Sequence, residues 1–147
     1  MNSSEAARWS EETDRELRQA GWYPGRSVPT ADWERLLSER GGFTIHSAAR
    51  RFLSEFGGLE VPHRGAGITM SRADFQLDPT VAEWDDEIID YLSEIAGAHL
   101  YPVGASERKN NYLCLAPDGA FYLGMDQIHL LAATADEALD KMVRGIQ

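Results

Sequence analysis

A chain of 147 residues with 43% apolar and 10% aromatic side chains suits one folded domain and is too apolar to stay disordered. Its single cysteine, Cys114, excludes an internal disulfide framework, and no stretch approaches the roughly 20 apolar residues of a membrane span. The net charge of −10, gathered largely in one segment, excludes the clustered cations of a nucleic-acid backbone binder.

The start, MNSSEAARWSEE, has neither a basic lead nor an apolar run of signal-peptide length, so a cytoplasmic location is the expectation. A first helix is expected over Thr13 to Ala20: Thr13 and Glu16 have capping-box spacing, and Gly21 supplies the stop. In GWYPGR, Gly21, Pro24 and Gly25 surround Trp22 and Tyr23, which marks a structured turn whose aromatics dock back on the core. ADWERLLSE, after Thr30, reads as a second helix with Trp33, Leu36 and Leu37 on one face and Gly41-Gly42 at its end.

The third helix holds AARRFLSEF. Ile45, Ala48, Ala49, Phe52, Leu53 and Phe56 keep a sustained helical period, with Arg50, Arg51, Ser54 and Glu55 opposite. Gly57 is expected in the left-handed cap position, with Gly58 turning the chain into a strand begun by Leu59 and Val61. ITMSRADFQL favours a strand with Phe75 and Leu77 on one side, and PHRGAG before it is a loop that exposes His63.

DPT at 78–80 then starts a fourth helix. Val81, Trp84, Ile88, Tyr91, Leu92 and Ile95 are its predicted core face, with Glu83, Asp86, Glu87, Asp90 and Glu94 mainly opposite. HLYPVG reads as a short strand with Pro102 near its end. NYLCLAPDGAFYLGM is the clearest hairpin, two apolar runs about Pro117-Asp118-Gly119. Neither run alternates with polar residues, so both faces should be covered and the hairpin central. A last helix follows Thr134, in capping-box spacing with Glu137, and buries Ala138, Leu139, Met142, Val143 and Ile146. Without regular βαβ alternation, this order predicts a single α+β domain over residues 1–147, with helices packed around a central antiparallel or mixed sheet.

Residues 1–72 carry ten acidic and ten basic side chains, whereas residues 73–98 carry eight acidic and none basic. Such a run is ordinarily the solvated face of a helix; its other use is to meet a basic protein, because complementary charge speeds encounter.

Chemistry has little support. His46, His63, His99 and His129 lack the i, i+4 pairing with a glutamate of a helical zinc site, and His46 reads as a helix N-terminal residue. Cys114, between Leu113 and Leu115, reads as a buried small hydrophobe rather than a reactive thiolate. GAG at 65–67 lacks the spacing and setting of a phosphate loop. Asp85 and Asp86 would point about 100° apart on a helix and do not converge as paired carboxylates. No catalytic residue, cofactor or metal site is predicted, and a binding role is the expectation.

The ordered set AGWYPGR, AARRFLSEFGGLEV, FQLDPTVAE, LYPVG, YLCLAPDGAFYL and EALDKMVRG, from about Trp9 to Gly145, resembles the third subgroup of the SUKH superfamily. The residues that carry the likeness include Gly21, Trp22, Gly25, Phe52, Leu53, Phe56, Gly57, Gly58, Pro102 and Gly119. The resemblance implies an α+β fold and a non-enzymatic role as an immunity protein of a bacterial polymorphic-toxin system. Such a protein binds and blocks a cognate toxin, often a nuclease or another nucleic-acid-modifying enzyme. The superfamily also includes eukaryotic regulators, so an intracellular adaptor of the same fold is the alternative, with a small-ligand role near Trp22 as a variant of it. On the toxin reading, Glu83, Asp86, Glu87, Asp90 and Glu94 are the expected contacts with a basic toxin surface. Neither nucleic acid nor a membrane is an expected direct partner.

Overall fold

The computed structural model describes residues 7–62, 65–68, 71–72, 74–106 and 110–146, which leaves His63 outside the described residues. Helix α1 spans Glu11–Ala20, starting ahead of Thr13 because Ser10 is the N-cap and accepts from the Thr13 N–H. Thr13 lies inside the helix, where its buried hydroxyl donates to Asp140 at 2.6 Å. Gly21 closes α1 at φ 118°, and Trp22 turns inward to donate its indole N–H to Glu55 at 3.0 Å. Tyr23 departs from expectation at 55% exposure. The Tyr23–Arg26 turn sends the Arg26 guanidinium inward instead, where it donates to the Glu55 and Gly57 carbonyls at 2.6 and 2.8 Å and closes the end of the third helix.

Helix α2 spans Ala31–Glu39 and buries Leu37, with Trp33 and Leu36 partly buried beside it. Helix α3 spans Ser47–Phe56, and Ala48, Ala49, Phe52, Leu53 and Phe56 are all buried, as their period predicts. The glycine pair behind it divides its work differently from the expectation. Gly57 has φ −59° and ψ 139°, and Gly58, at φ 89°, takes the left-handed turn. What Gly57 supplies is room, because a Cβ there would stand 2.5 Å from the Trp33 ring.

Strands β1 (Glu60–Val61), β4 (Phe75–Gln76), β5 (Tyr101–Ser106), β6 (Asn111–Leu115), β7 (Phe121–Gly124) and β8 (Ile128–Ala132) form an antiparallel sheet in the order β1-β4-β5-β6-β7-β8. Strands β2 (Gly65–Ala66) and β3 (Ser71–Arg72) pair separately. The fold is therefore α+β with the antiparallel form of the predicted sheet. Pro102 lies near the start of β5, not its end, and the strand runs on through a register shift between Pro102 and Gly104. Gly104 permits this, because any Cβ there would run into the Gln76 carbonyl of β4. Strand β8 was not foreseen: IHLLA forms the sheet edge, with His129 and Leu130 exposed.

The predicted fourth helix is broken. Pro79–Ala82 form a 3-10 turn capped by Asp78, and α4 proper spans Asp86–Ala96. Between them Trp84 adopts φ 69°, its N–H donating to the Arg40 carbonyl at 2.7 Å. The break takes Val81 and Trp84 off the helical count, and within α4 the buried stripe centres on Ile89 and Leu92. Only part of the predicted core face therefore holds: Leu92 is buried and Val81 and Ile88 pack partly buried beside it, whereas Trp84, Tyr91 and Ile95 are 66%, 50% and 50% exposed. Helix α5 spans Ala135–Arg144 behind its Thr134 cap, with Ala138, Leu139 and Val143 buried.

The β6–β7 hairpin separates two apolar clusters. Leu113, Leu115 and Phe121 pack with residues of α1, α3 and α5, while Tyr112, Cys114, Ala116 and Ala120 pack with Ala82, Ile89 and Leu92. His46, the N-cap of α3, ties that helix to β6. Its Nδ1 accepts from the Ala49 N–H at 3.2 Å and its Nε2–H donates to the Leu115 carbonyl at 2.8 Å, which commits both nitrogens in the neutral ring. Burial lowers its pKa below 6.5, with His99 and Arg51 pushing the same way against the Leu115 bond.

Two outcomes are expected. Gly57→Ala should cost about 1–3 kcal/mol by overpacking, read as a lower urea midpoint at unchanged m-value. A histidine with a depressed folded pKa binds fewer protons than it does unfolded, so stability should fall as pH drops below 6.5. Urea titrations at pH 7 and pH 5 should show this loss reduced in His46→Asn, which keeps a capping acceptor without the titration.

Candidate partner-binding surface on the fourth helix

Helix α4 rotates about 100° per residue, so the burial of Ile89 and Leu92 fixes which residues face outward. Across the outer arc lie Asp90, Glu94 and Glu87, then Tyr91 and Ile95; all five are exposed. Carboxylates thus run along one side of the arc and the apolar pair along the other. Trp84 stands at the head of the same helix.

The start of α4 is held from two sides, by β6 and by the end of α2. Asp85, its N-cap residue, makes no side-chain cap bond and instead accepts from the Tyr112 hydroxyl of β6. Burial first, and then this bond to Asp85, push the Tyr112 phenol well above its ordinary value. Arg40, at the C-terminus of α2, accepts the Trp84 N–H on its carbonyl and pairs through its guanidinium with Glu83 at 2.6 Å. At the far end the Ser93 hydroxyl accepts from the Leu100 N–H at 3.1 Å.

The five predicted acidic residues therefore divide. Glu87, Asp90 and Glu94 are exposed and make no ion pair among the described residues. Asp86 lies partly exposed in the first turn of α4, where a carboxylate suits the helix dipole. Glu83 lies outside the helix and is engaged with Arg40. Sequence reading missed Trp84, Tyr91 and Ile95 as surface residues. Asp85, a residue type favoured at helix starts, was a signal that would have taken Trp84 off the helical count. The spacing of Ile88, Tyr91, Leu92 and Ile95 gives no local sign that Tyr91 and Ile95 face outward.

The residues behind the family likeness sit elsewhere: Trp22, Phe52, Leu53 and Phe56 in the core cluster of α1, α3 and α5, Gly21, Gly25, Gly58 and Gly119 at positive φ, and Pro102 in the sheet. Cys114 is buried against α4, and burial pushes its thiol up to about 12. His99 bonds the Thr44 carbonyl at 2.7 Å, and no group of three or more His, Cys, Asp or Glu among the described residues could hold a metal ion. An open hollow of about 660 Å³ lies over Trp9, Arg18 and Trp22, but Arg18 is already bonded to Asp14 at 2.7 Å and stacked on the Trp22 ring. Among the described residues no helix is long and apolar enough to cross a membrane.

Residues 9–145 match the family described as SUKH-3 immunity protein. No curated protein and no solved structure matches the chain.

Proposed function

The chain belongs to the SUKH-3 immunity protein family, and from that premise we propose that it neutralises a cognate toxin by binding it inside the producing cell. The observation that carries the contact assignment is the set of carboxylates Glu87, Asp90 and Glu94, without an ion pair among the described residues, on one exposed helix face within a segment of eight acidic and no basic side chains. Asp86 extends the face and Glu83 borders it.

The charge fits the class of toxin that acts on nucleic acid. Such an enzyme must hold a polyanion and carries lysine and arginine where it does so. A row of carboxylates on a fixed helix competes for the same cations, steers the encounter and leaves the inhibitor's body over the substrate channel. No step of this requires bond chemistry from the inhibitor.

Co-expression with the toxin encoded beside the chain should restore growth, and the purified pair should associate one to one. Reversing Glu87, Asp90 and Glu94 to lysine should slow association by about tenfold or more at low salt, with the deficit shrinking as salt screens the charges. Association unchanged at every salt concentration would remove the acidic face from the contact. Toxicity undiminished by the wild-type chain would overturn neutralisation itself.

A further inference from the structure

We propose that Trp84, Tyr91 and Ile95 form the apolar anchor of the toxin contact, and that they seat in an apolar pocket rimmed by lysine and arginine on the toxin; this rests on the neutralisation reading. Each is at least half exposed, and Tyr91 and Ile95 are one helical turn apart and so adjacent on one face. Other exposed large apolar side chains, Tyr23, Ile68 and Leu130, lie on separate parts of the chain. On α4, Tyr91 and Ile95 share the outer arc with Glu87, Asp90 and Glu94, which make no ion pair among the described residues.

Trp84 is the most informative of the three. It is the non-glycine residue with positive φ among the described residues, a conformation disfavoured for a bulky side chain. The Trp84 N–H bond to the Arg40 carbonyl and the Arg40–Glu83 ion pair hold the backbone ahead of it, and the Tyr112 bond to Asp85 holds it behind. The result is an indole directed to solvent from a backbone that would be more comfortable as glycine. Tryptophan and tyrosine are the residue types that dominate binding energy when they enter a desolvated pocket.

The charge beside them selects the occupant. A second copy of the chain docking on this face would set Glu87, Asp90 and Glu94 against their equivalents with no base on the helix to relieve them. Nucleic acid and anionic lipid are repelled for the same reason. A protein whose pocket is apolar at the centre and basic at the rim meets both halves of the arc. The two halves then do different work: the carboxylates set the association rate and the apolar row sets the dissociation rate.

The test uses Trp84→Gly and the double variant Tyr91→Ala/Ile95→Ser, with a catalytically inactivated form of the adjoining toxin domain immobilised for binding kinetics. Each should raise the dissociation rate by about 30-fold or more, as loss of a strong interface anchor does, with the association rate nearly unchanged. Trp84→Gly should also unfold at the same or a higher urea concentration, because glycine accepts the positive φ and the lost indole is largely exposed. Dissociation rates equal to wild type overturn the anchor while leaving neutralisation standing. A lowered urea midpoint for Trp84→Gly shows that the indole serves the fold, and a wild-type dimer in sedimentation that the variant dissolves shows a self-contact; either overturns the proposal. A wild-type chain that neither binds nor protects against the toxin defeats the neutralisation reading, and the anchor with it.

Discussion

The β6–β7 hairpin is apolar on both faces, and the placing of the helices follows from the need to cover each one. Leu113, Leu115 and Phe121 point to one side and Tyr112, Cys114 and Ala120 to the other, so a single helical layer would leave half the strand residues in water. Residues of α1, α3 and α5 share the first face; the second is covered, among the described residues, by the 3-10 turn and α4. Burying Ile89 and Leu92 supplies about 1.5–3 kcal/mol each, a modest hold for a lone covering helix. The polar ties through Asp85, Arg40 and Ser93 supplement it. A helix so held presents its outer side chains in fixed positions, and a fixed surface loses less entropy on binding than a mobile one.

The layer on the first face is closed by a separate polar network. Ser10 donates to Asp140 through both its backbone N–H and its hydroxyl, and Thr13 and Arg144 donate to the same carboxylate. Burial pushes Asp140 up, but these donors outweigh it and hold it below the usual carboxylate range. Arg8 spans Glu55 of α3 and Asp136 of α5 while lying over the Trp9 ring. Exposed ion pairs are individually worth little, yet the Asp140 carboxylate accepts the hydrogen bond of the buried Thr13 hydroxyl at 2.6 Å. None of these groups belongs to the outer face of α4, so substitutions there leave the network intact.

How much of this was legible in the sequence depended on whether a signal was local. The period of α3, the extent of α2 and the Pro117-Asp118-Gly119 hairpin rest on neighbouring residues, and each formed where its pattern lay. Gly57 and Gly104 were different. Their need for a missing Cβ comes from Trp33 and from the Gln76 carbonyl, far along the chain, and no local pattern announces a distant ring or strand. The α4 surface failed for another reason. A helical count carried from Val81 through Ile95 assumes an unbroken helix, and the interruption at Glu83, Trp84 and Asp85 took Trp84 off the core face. The choice of Ile89 beside Leu92 as the buried stripe, set by the sheet beneath, turned Tyr91 and Ile95 outward. The acidic residues survived that error because charge keeps to solvent in either phase.

The local costs gathered around α4 bear on what its face is for. Asp86 with Asp90, and Asp90 with Glu94, are like charges four residues apart, a spacing that destabilises a helix by about 0.2–0.5 kcal/mol per pair. The last turn carries no basic side chain to complement the helix dipole. Trp84 adds backbone strain on the order of 1–3 kcal/mol, and the exposed rings of Trp84 and Tyr91 forgo burial that a shifted phase would have supplied. A merely solvated face needs none of these features; lysines at alternate acidic positions and a glycine at 84 would serve it better. Other helices also lack a basic last turn, but only here do like-charge spacing, a strained tryptophan and exposed rings gather on one surface among the described residues, which is what a face shaped by a partner would show.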